Sequence, residues 1–106
     1  MPRTLHVITH QPGPLWQQGV AAFSQPGIEQ HVAHYRQLQA SGRLEAGGPF
    51  LDALGGGMMI AREGVDLALL SEFAGEDPTV LSGLLTFQVR TWLVGMESLE
   101  ASQGGS

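Results

Sequence analysis

Residues 28–50, IEQHVAHYRQLQASGRLEAGGPF, decide the predicted fold of this chain. Apolar and aromatic side chains recur every three or four positions over residues 28–40, which predicts an amphipathic helix. Gly42 is a natural end for that helix, because glycine reaches the left-handed conformation at no steric cost. Residues 43–50 then predict a strand that runs into Gly-Gly-Pro. His31 falls on the apolar face of the helix, so it is either a hydrogen-bonded core histidine or a functional one.

The elements around this stretch follow from similar patterns. Short β-branched or alternating runs predict strands, whereas a helical period of apolar residues predicts a helix. Before the quoted stretch, the predicted elements are a strand over residues 5–9 and a long loop over 11–27. After it come a turn over 52–57, a strand over 58–62, a helix over 65–74, a turn over 79–84 and a strand over 86–94. The helix over 65–74 has Val65, Leu69 and Phe73 on one stripe, and Asp77 caps the turn over 79–84. The order β-α-β-β-α-β predicts a ferredoxin-like α+β fold with an antiparallel four-stranded sheet and helices on one face.

Helices on one face leave the other face of the predicted sheet uncovered. Several strands are apolar on both faces, as in Val7 with Ile8 and Met59 with Ile60. An uncovered apolar sheet face usually marks an interaction site, and twofold homodimers are the commonest oligomers. The sequence therefore predicts a homodimer that pairs through the open sheet face, a dimeric α+β barrel.

Composition narrows the class of protein. The chain has 106 residues, a net charge of −5 and no cysteine, which predicts a single domain over residues 1–96 without disulfides. The basic residues are scattered arginines, so we expect no nucleic-acid partner. No apolar run is long enough to span a bilayer and the first residues lack the apolar core of a signal peptide, so we expect a cytoplasmic protein and no membrane partner. The polar, glycine-rich residues 97–106 are expected to be a flexible tail.

Five short motifs point to a family. They are His31 with Gly42-Arg43-Leu44 downstream, the segment AGGPF over residues 46–50, Asp77-Pro78, Gly83-Leu84, and VRTW over residues 89–92. Each motif is short, but their order and spacing across most of the chain resemble the YciI-like (YCII-related) family. The resemblance implies the dimeric α+β barrel that the element order also predicts.

The resemblance also carries expectations about function. Members of that family are described as possible enzymes with a conserved histidine and an acidic partner. Some relatives are linked to dehydrochlorination of aromatic ring-cleavage intermediates, and similar barrels include muconolactone isomerases. His31 matches the family's helix histidine, and Asp77 fits its Asp-Pro motif. The carboxylate that some members carry near the end of the helix has no counterpart here, where Glu45 is the nearest acid.

His31 and Asp77 are the predicted catalytic residues. A histidine can take or give a proton near neutral pH, and a carboxylate beside it would fix its tautomer. Each residue also has a simpler interpretation. His31 could be a core histidine bonded to a carbonyl group, and Asp77 could only cap the turn that begins at Pro78.

Four further residues are candidates for substrate binding. Arg90 and Trp92 share one face of the last strand, where they could form a wall that binds a carboxylate or could pack at a dimer edge. Trp16 lies on the long loop as a lid residue or as the anchor of that loop. Pro49 closes a Gly-Gly-Pro segment that either presents backbone amides to an anion or makes a bend.

We expect no metal and no other cofactor. His6 and His10 lie about 13 Å apart along a strand, too far to share an ion. His31 and His34 are three positions apart on the helix and could share one, but no third ligand is evident in the sequence. The chain also lacks a glycine fingerprint for nucleotides and a serine elbow.

Two hypotheses of different classes therefore stand. The first is a small, cofactor-free lyase or isomerase in which His31 moves a proton on a small organic acid or lactone, with Asp77 orienting it. The second is a non-catalytic dimeric module that binds a small ligand or regulates a partner. A cofactor-free oxygenase of a related dimeric barrel is a third and weaker hypothesis.

Overall fold

The computed structural model describes residues 3–98, so residues 99–106 of the predicted tail lie outside the described part. In chain order the elements are β1 (Arg3–Pro12), a 3-10 turn (Ala22–Ser24), α1 (Ile28–Ala40), β2 (Leu44–Pro49), β3 (Gly57–Ala61), α2 (Leu67–Gly75), α3 (Pro78–Ser82) and β4 (Leu85–Val94). The four strands form one sheet in the order β2-β3-β1-β4, and every neighbouring pair is antiparallel. This arrangement confirms the predicted ferredoxin-like α+β fold.

The central strand β1 is longer than the prediction of residues 5–9. It pairs with β4 along its whole length, from Arg3 opposite Val94 to Pro12 opposite Leu85. The longer ladder places His10 inside the strand rather than after it. Since side chains alternate between faces, His10 shares the face of the fully buried Ile8.

Helix α1 has the bounds that its periodicity predicts. Its buried side chains are Ile28, His31, Tyr35 and Leu38. Tyr35 and Leu38 join the core that contains Ile8 of β1, and burying a leucine such as Leu38 contributes about 1.5–3 kcal/mol. The helix is followed by Gly42 at φ 78°, the left-handed conformation expected there.

Helix α2 begins later than the sequence predicts, and its predicted stripe is confirmed only in part, since Val65 and Phe73 are half-buried and pack against the core. Asp66 caps it by accepting a hydrogen bond from the Leu69 amide at 3.0 Å, so the first helical residue is Leu67 instead of residue 65. Leu70 and Ala74 are the buried residues, whereas Leu69 is 38% exposed. All four residues of the first turn of the helix are apolar, so periodicity alone does not identify the inward face.

Helix α3 is a short turn with a strong cap. Asp77 Oδ1 accepts a hydrogen bond from the Thr79 amide at 2.9 Å, and Pro78 occupies the first helical position, where its missing N–H costs nothing. This confirms the predicted cap. It also fixes the Asp77 carboxylate inside the protein, next to α1.

The two long helices pack on one face of the sheet. Tyr35 of α1 and Leu70 of α2 meet Ile8 in a single core. The opposite face carries Val7, Arg90 and Trp92, whose register across β1 and β4 puts them side by side. None of the helices in residues 3–98 has the length and apolar character that crossing a bilayer requires.

Candidate functional site

A cavity of about 270 Å³ lies between α1, the sheet and the loop of residues 13–27. Its walls are mostly apolar and include Trp16, Ile28 and Met59. The polar side chains at its wall are His10, His31, Tyr35, Arg36 and Gln39. A cavity of this volume suits a small organic ligand.

His31 and Asp77 meet at this cavity, although they lie 46 positions apart in the sequence. The distance from His31 Nδ1 to Asp77 Oδ2 is 2.5 Å. Asp77 is fully buried and His31 is 8% exposed. The other carboxylate oxygen accepts hydrogen bonds from the Thr79 amide at 2.9 Å and the Thr79 hydroxyl at 2.7 Å. The carboxylate is therefore held on both sides.

These hydrogen bonds decide the charge of Asp77 and the tautomer of His31. Burial by itself raises the pKa of the Asp77 carboxyl, but the hydrogen bonds from His31 and Thr79 outweigh it and hold that pKa below its ordinary value. Asp77 is then a carboxylate, which can only accept, so His31 Nδ1 carries the proton. Nε2 is the ring nitrogen that remains available to a ligand.

His10 is a site residue that the sequence prediction misses. It is 3% exposed, it lines the cavity, and its ring meets the His31 ring edge to face at 4.9 Å. Burial, followed by the nearby His31, lowers the pKa of His10 to about 4, so its ring is neutral at neutral pH. Its Nδ1 has no hydrogen-bond partner within the described part of the chain. The alternation from Ile8 to His10 is the signal that could have found it, had the strand been extended past residue 9.

Tyr35 completes the polar cluster on the inner side of the cavity. Its hydroxyl lies 3.4 Å from His10 Nε2, and the side chain is 3% exposed. Burial and the negative charge of Asp77 both raise the pKa of Tyr35. The phenol therefore keeps its proton and can serve as a hydrogen-bond donor.

The same cluster has the composition of a metal site. Ligand atoms of His10, His31 and Asp77 all lie within 4.8 Å of one another, and two histidines with a carboxylate suit a transition metal. However, two ligands around one tetrahedral ion are about 3.3 Å apart, and the 2.5 Å between His31 and Asp77 is a direct hydrogen bond. As arranged, the three side chains do not fit a shared ion, and the expectation of a metal-free site stays a prediction.

Two of the candidate binding residues line the cavity beside His31. Trp16 and Pro49 stand on its walls, on the long loop and on β2 respectively. The loop is held by the buried side chain of Gln25, which donates to the carbonyls of Gln17 and Val20 and accepts from the Gln17 amide, each at 2.8 Å. Trp16 therefore lies on an ordered loop.

Arg90 and Trp92 are not brought to this cavity. Residues of β4 alternate between the two faces of the sheet, and these two lie on the face away from the helices, in a groove shared with Val7 and Met58. Within a single chain, the expected wall for a substrate carboxylate therefore lies on the opposite side of the sheet from His31. The cation that the cavity does contain is Arg36, which the sequence prediction does not single out.

Comparison with known proteins finds a relative of this chain. The chain is 34% identical over 70 residues to a protein of Bacillus subtilis (strain 168) called uncharacterized protein YjpA, a match that covers 66% of this chain and 80% of that protein. No protein-family model matches the chain. The relative's name describes no activity, so the function has to be argued from the site.

Proposed function

We propose, from the premise that the chain belongs to the family of the Bacillus subtilis protein YjpA, that it is a small acid/base enzyme. It would move a proton on a small organic acid or lactone, in an isomerisation or an elimination, and would need no redox cofactor. We also propose that this family falls within the wider YciI-like group, on the motifs quoted above. His31 is the proposed general base and acid, and Asp77 orients it.

One observation carries this proposal. His31 stands at the wall of a ligand-sized cavity while its Nδ1 is bound to a buried carboxylate at 2.5 Å. A base oriented by a carboxylate and placed beside a pocket is the arrangement that general acid/base catalysis requires. His10 is neutral and in contact with the Tyr35 hydroxyl, so one of the two groups could donate a hydrogen bond to a developing enolate oxygen while the other donates to its neighbour.

The proposed chemistry balances without any other reactant. In an isomerisation, His31 Nε2 removes a proton from a carbon next to a carbonyl group, the double bond shifts, and the same nitrogen returns the proton to another carbon. In an elimination, Nε2 takes the proton, a carbon–carbon double bond forms, a halide leaves, and the imidazolium then loses its proton to water.

Exchange of carbon-bound hydrogen for deuterium tests this proposal without knowledge of the natural substrate. The purified protein is mixed in heavy water with levulinate, 2-pentanone and α-angelica lactone, and exchange next to the carbonyl group is followed by NMR. We expect catalysed exchange by the wild type and a loss of about 10²-fold or more in His31→Gln.

A matched control is available on the same helix. His34 donates from Nε2 to the Phe73 carbonyl at 2.7 Å, away from the residues that line the cavity. His34→Gln should therefore exchange like the wild type. Equal rates for His31→Gln and the wild type, or no exchange into any of the three compounds, would contradict the proposal. Binding without exchange would favour the non-catalytic ligand-binding module instead.

We further propose that two copies pair through the open sheet face and form a dimeric α+β barrel. Both long helices pack on the other face, and the open face carries a Trp92 that is 45% exposed and a half-buried Met58, beside Val7, which is 8% exposed. An aromatic residue beside an arginine such as Arg90 is typical of the centre of a protein interface. In the dimer these two residues would meet the partner subunit.

A further inference from the structure

Arg36 stands at the cavity and has no function in the proton transfer proposed above. It lies on α1, one turn after Val32 and five residues after His31, and all three line the cavity. Among the described residues that form the wall, Arg36 is the one with a permanent charge. The rest of the wall is mostly apolar, and the chain as a whole carries a net charge of −5. Arg36 is exposed, so its positive charge lies at the solvent side of this mostly apolar cavity, where the anionic group of a ligand could reach it.

No carboxylate pairs with Arg36 within the described residues 3–98. The arginines that pair with carboxylates there are Arg3, with Glu63 and Glu97, and Arg62, with Glu45. Arg36 instead donates from Nη1 to Gln39 Oε1 at 3.0 Å. That contact uses one of the five guanidinium donors and leaves the others open to solvent or to a ligand. The amide group of Gln39, which also lines the cavity, offers two further donors.

We propose that Arg36 and Gln39 form the carboxylate-binding end of the cavity, and that the ligand is an amphipathic monocarboxylate whose other end meets His31. The inference deepens the proposed function and rests on it for the role of His31. A guanidinium group binds a carboxylate through two parallel hydrogen bonds, which fixes orientation as well as affinity. The amide of Gln39 adds a third donor to the same anion.

The helix sets the spacing between the two ends. His31 and Arg36 lie five residues apart on α1, a backbone rise of about 7.5 Å, and on this basis we place the carboxylate and the reacting carbon at different ends of the ligand. A body of several carbon atoms, in a chain or a ring, has to separate them. Apolar side chains such as Ile28 and Met59 line the cavity and would contact that body. Levulinate, a keto acid with its carboxylate at one end and its ketone near the other, has this form.

Binding measurements with matched pairs of compounds test the inference independently of turnover. Each pair consists of a carboxylate and a neutral analogue of similar shape. The pairs are levulinate with 2-pentanone, and 4-methylbenzoate with 4-methylbenzamide. Dissociation constants are measured by NMR titration at millimolar concentrations. We expect Arg36→Gln to weaken binding of the carboxylates by about tenfold or more and to leave the neutral compounds unchanged. Arg36→Lys keeps the charge but loses the fork geometry of the guanidinium group. Its affinity for the carboxylates should therefore lie between that of the wild type and that of Arg36→Gln.

The control is Arg43→Gln, which removes an exposed arginine that does not line the cavity and should bind all four compounds like the wild type. The inference is overturned if Arg36→Gln binds the carboxylates as tightly as the wild type, if it loses the neutral analogues equally, or if no carboxylate binds the wild type. Failure of the proposed function gives a different result. In that case carboxylate binding still depends on Arg36, while deuterium exchange does not depend on His31.

Discussion

At the scale of single residues, Asp77 combines the two interpretations that its sequence context leaves open. Its Oδ1 caps α3 through the Thr79 amide, and its Oδ2 holds His31 Nδ1. One buried carboxylate therefore fixes both a backbone turn and the tautomer of an imidazole. The cap and the histidine tautomer can be separated experimentally. Only the tautomer depends on the inability of a carboxylate to donate a hydrogen bond.

Asp77→Asn should preserve the turn and change the histidine. The asparagine oxygen can still accept from the Thr79 amide, but its NH₂ group then faces His31 and forces Nδ1 to become the acceptor. We expect a loss of about 1–3 kcal/mol in the free energy of unfolding and a loss of deuterium exchange of about 10²-fold or more. Nitrogen NMR of the His31 ring, with urea unfolding, measures both effects.

Asp66→Asn is the matched control, because Asp66 caps α2 through the Leu69 amide in the same way but touches no histidine. It should retain the exchange activity and the His31 tautomer. If Asp77→Asn keeps both the Nδ1–H tautomer and full activity, then Asp77 is a cap and nothing more.

His10 predicts how stability depends on pH. Burial lowers its pKa from 6.5 to about 4 in the folded protein, so the unfolded chain binds the proton first. Protonation of His10 in the unfolded chain therefore lowers the free energy of unfolding as the pH falls. The loss begins near pH 6.5 and reaches roughly 3 kcal/mol at about pH 4. Urea unfolding of the wild type across this range should show the loss, and His10→Gln should show a much shallower slope.

The carboxylate of Asp77 does not obscure that test. Its pKa is lowered from 3.8, so its own contribution to stability is present above that pH and is lost below it. Identical slopes for His10→Gln and the wild type between pH 6.5 and 4 would show that His10 is not the group responsible.

At the scale of elements, local patterns locate helices better than they assign faces. The period of residues 28–40 predicts α1 with its observed bounds, because the buried positions recur every three or four residues there. In α2 the run of leucine and alanine leaves the face undecided, and the Asp66 cap with the packing of Leu70 settles it. Strand β1 extends beyond its apolar segment because pairing with β4 supplies backbone partners for polar residues too.

The long loop is an element whose order depends on one side chain. Gln25 is 2% exposed and makes three hydrogen bonds of 2.8 Å to Gln17 and Val20. Gln25→Ala removes all three and should expose the Gln17 amide, which then exchanges with solvent faster, at a cost of about 1–3 kcal/mol in local stability. Hydrogen exchange followed by NMR measures this. Gln18→Ala, an exposed position in the same loop, should leave the protection of Gln17 unchanged, and unchanged protection in Gln25→Ala would contradict the prediction.

At the scale of the whole molecule, the proposed dimer makes a prediction about adjacent residues of β4. Trp92 and Leu93 are both exposed apolar residues, at 45% and 60%, but they point to opposite faces of the sheet. Trp92→Glu places a charge in the proposed interface and should give a monomer, whereas Leu93→Glu should stay dimeric. Light scattering at micromolar concentration distinguishes the two masses. A monomeric wild type would defeat the barrel proposal.

The sequence by itself determined what depends on neighbours along the chain. The period of α1, the left-handed glycine after it, the Asp-Pro cap of α3 and the order of the elements are all local, and together they are sufficient for the ferredoxin-like fold. The sequence also named His31 and Asp77 as candidates, through a motif resemblance rather than through any local rule.

Only the tertiary structure decided which side chains meet. The contact between His31 and Asp77 joins residues 46 positions apart, and the pairing of β1 with β4 brings His10 to the same cavity and places Arg90 on the far side of the sheet. Arg36 is the cation at the cavity because the packing of α1 against the sheet and the loop places it in the wall. Strand register and helix packing are set by long-range contacts, so a one-residue change in either moves a side chain to the other face, and no local pattern records that choice.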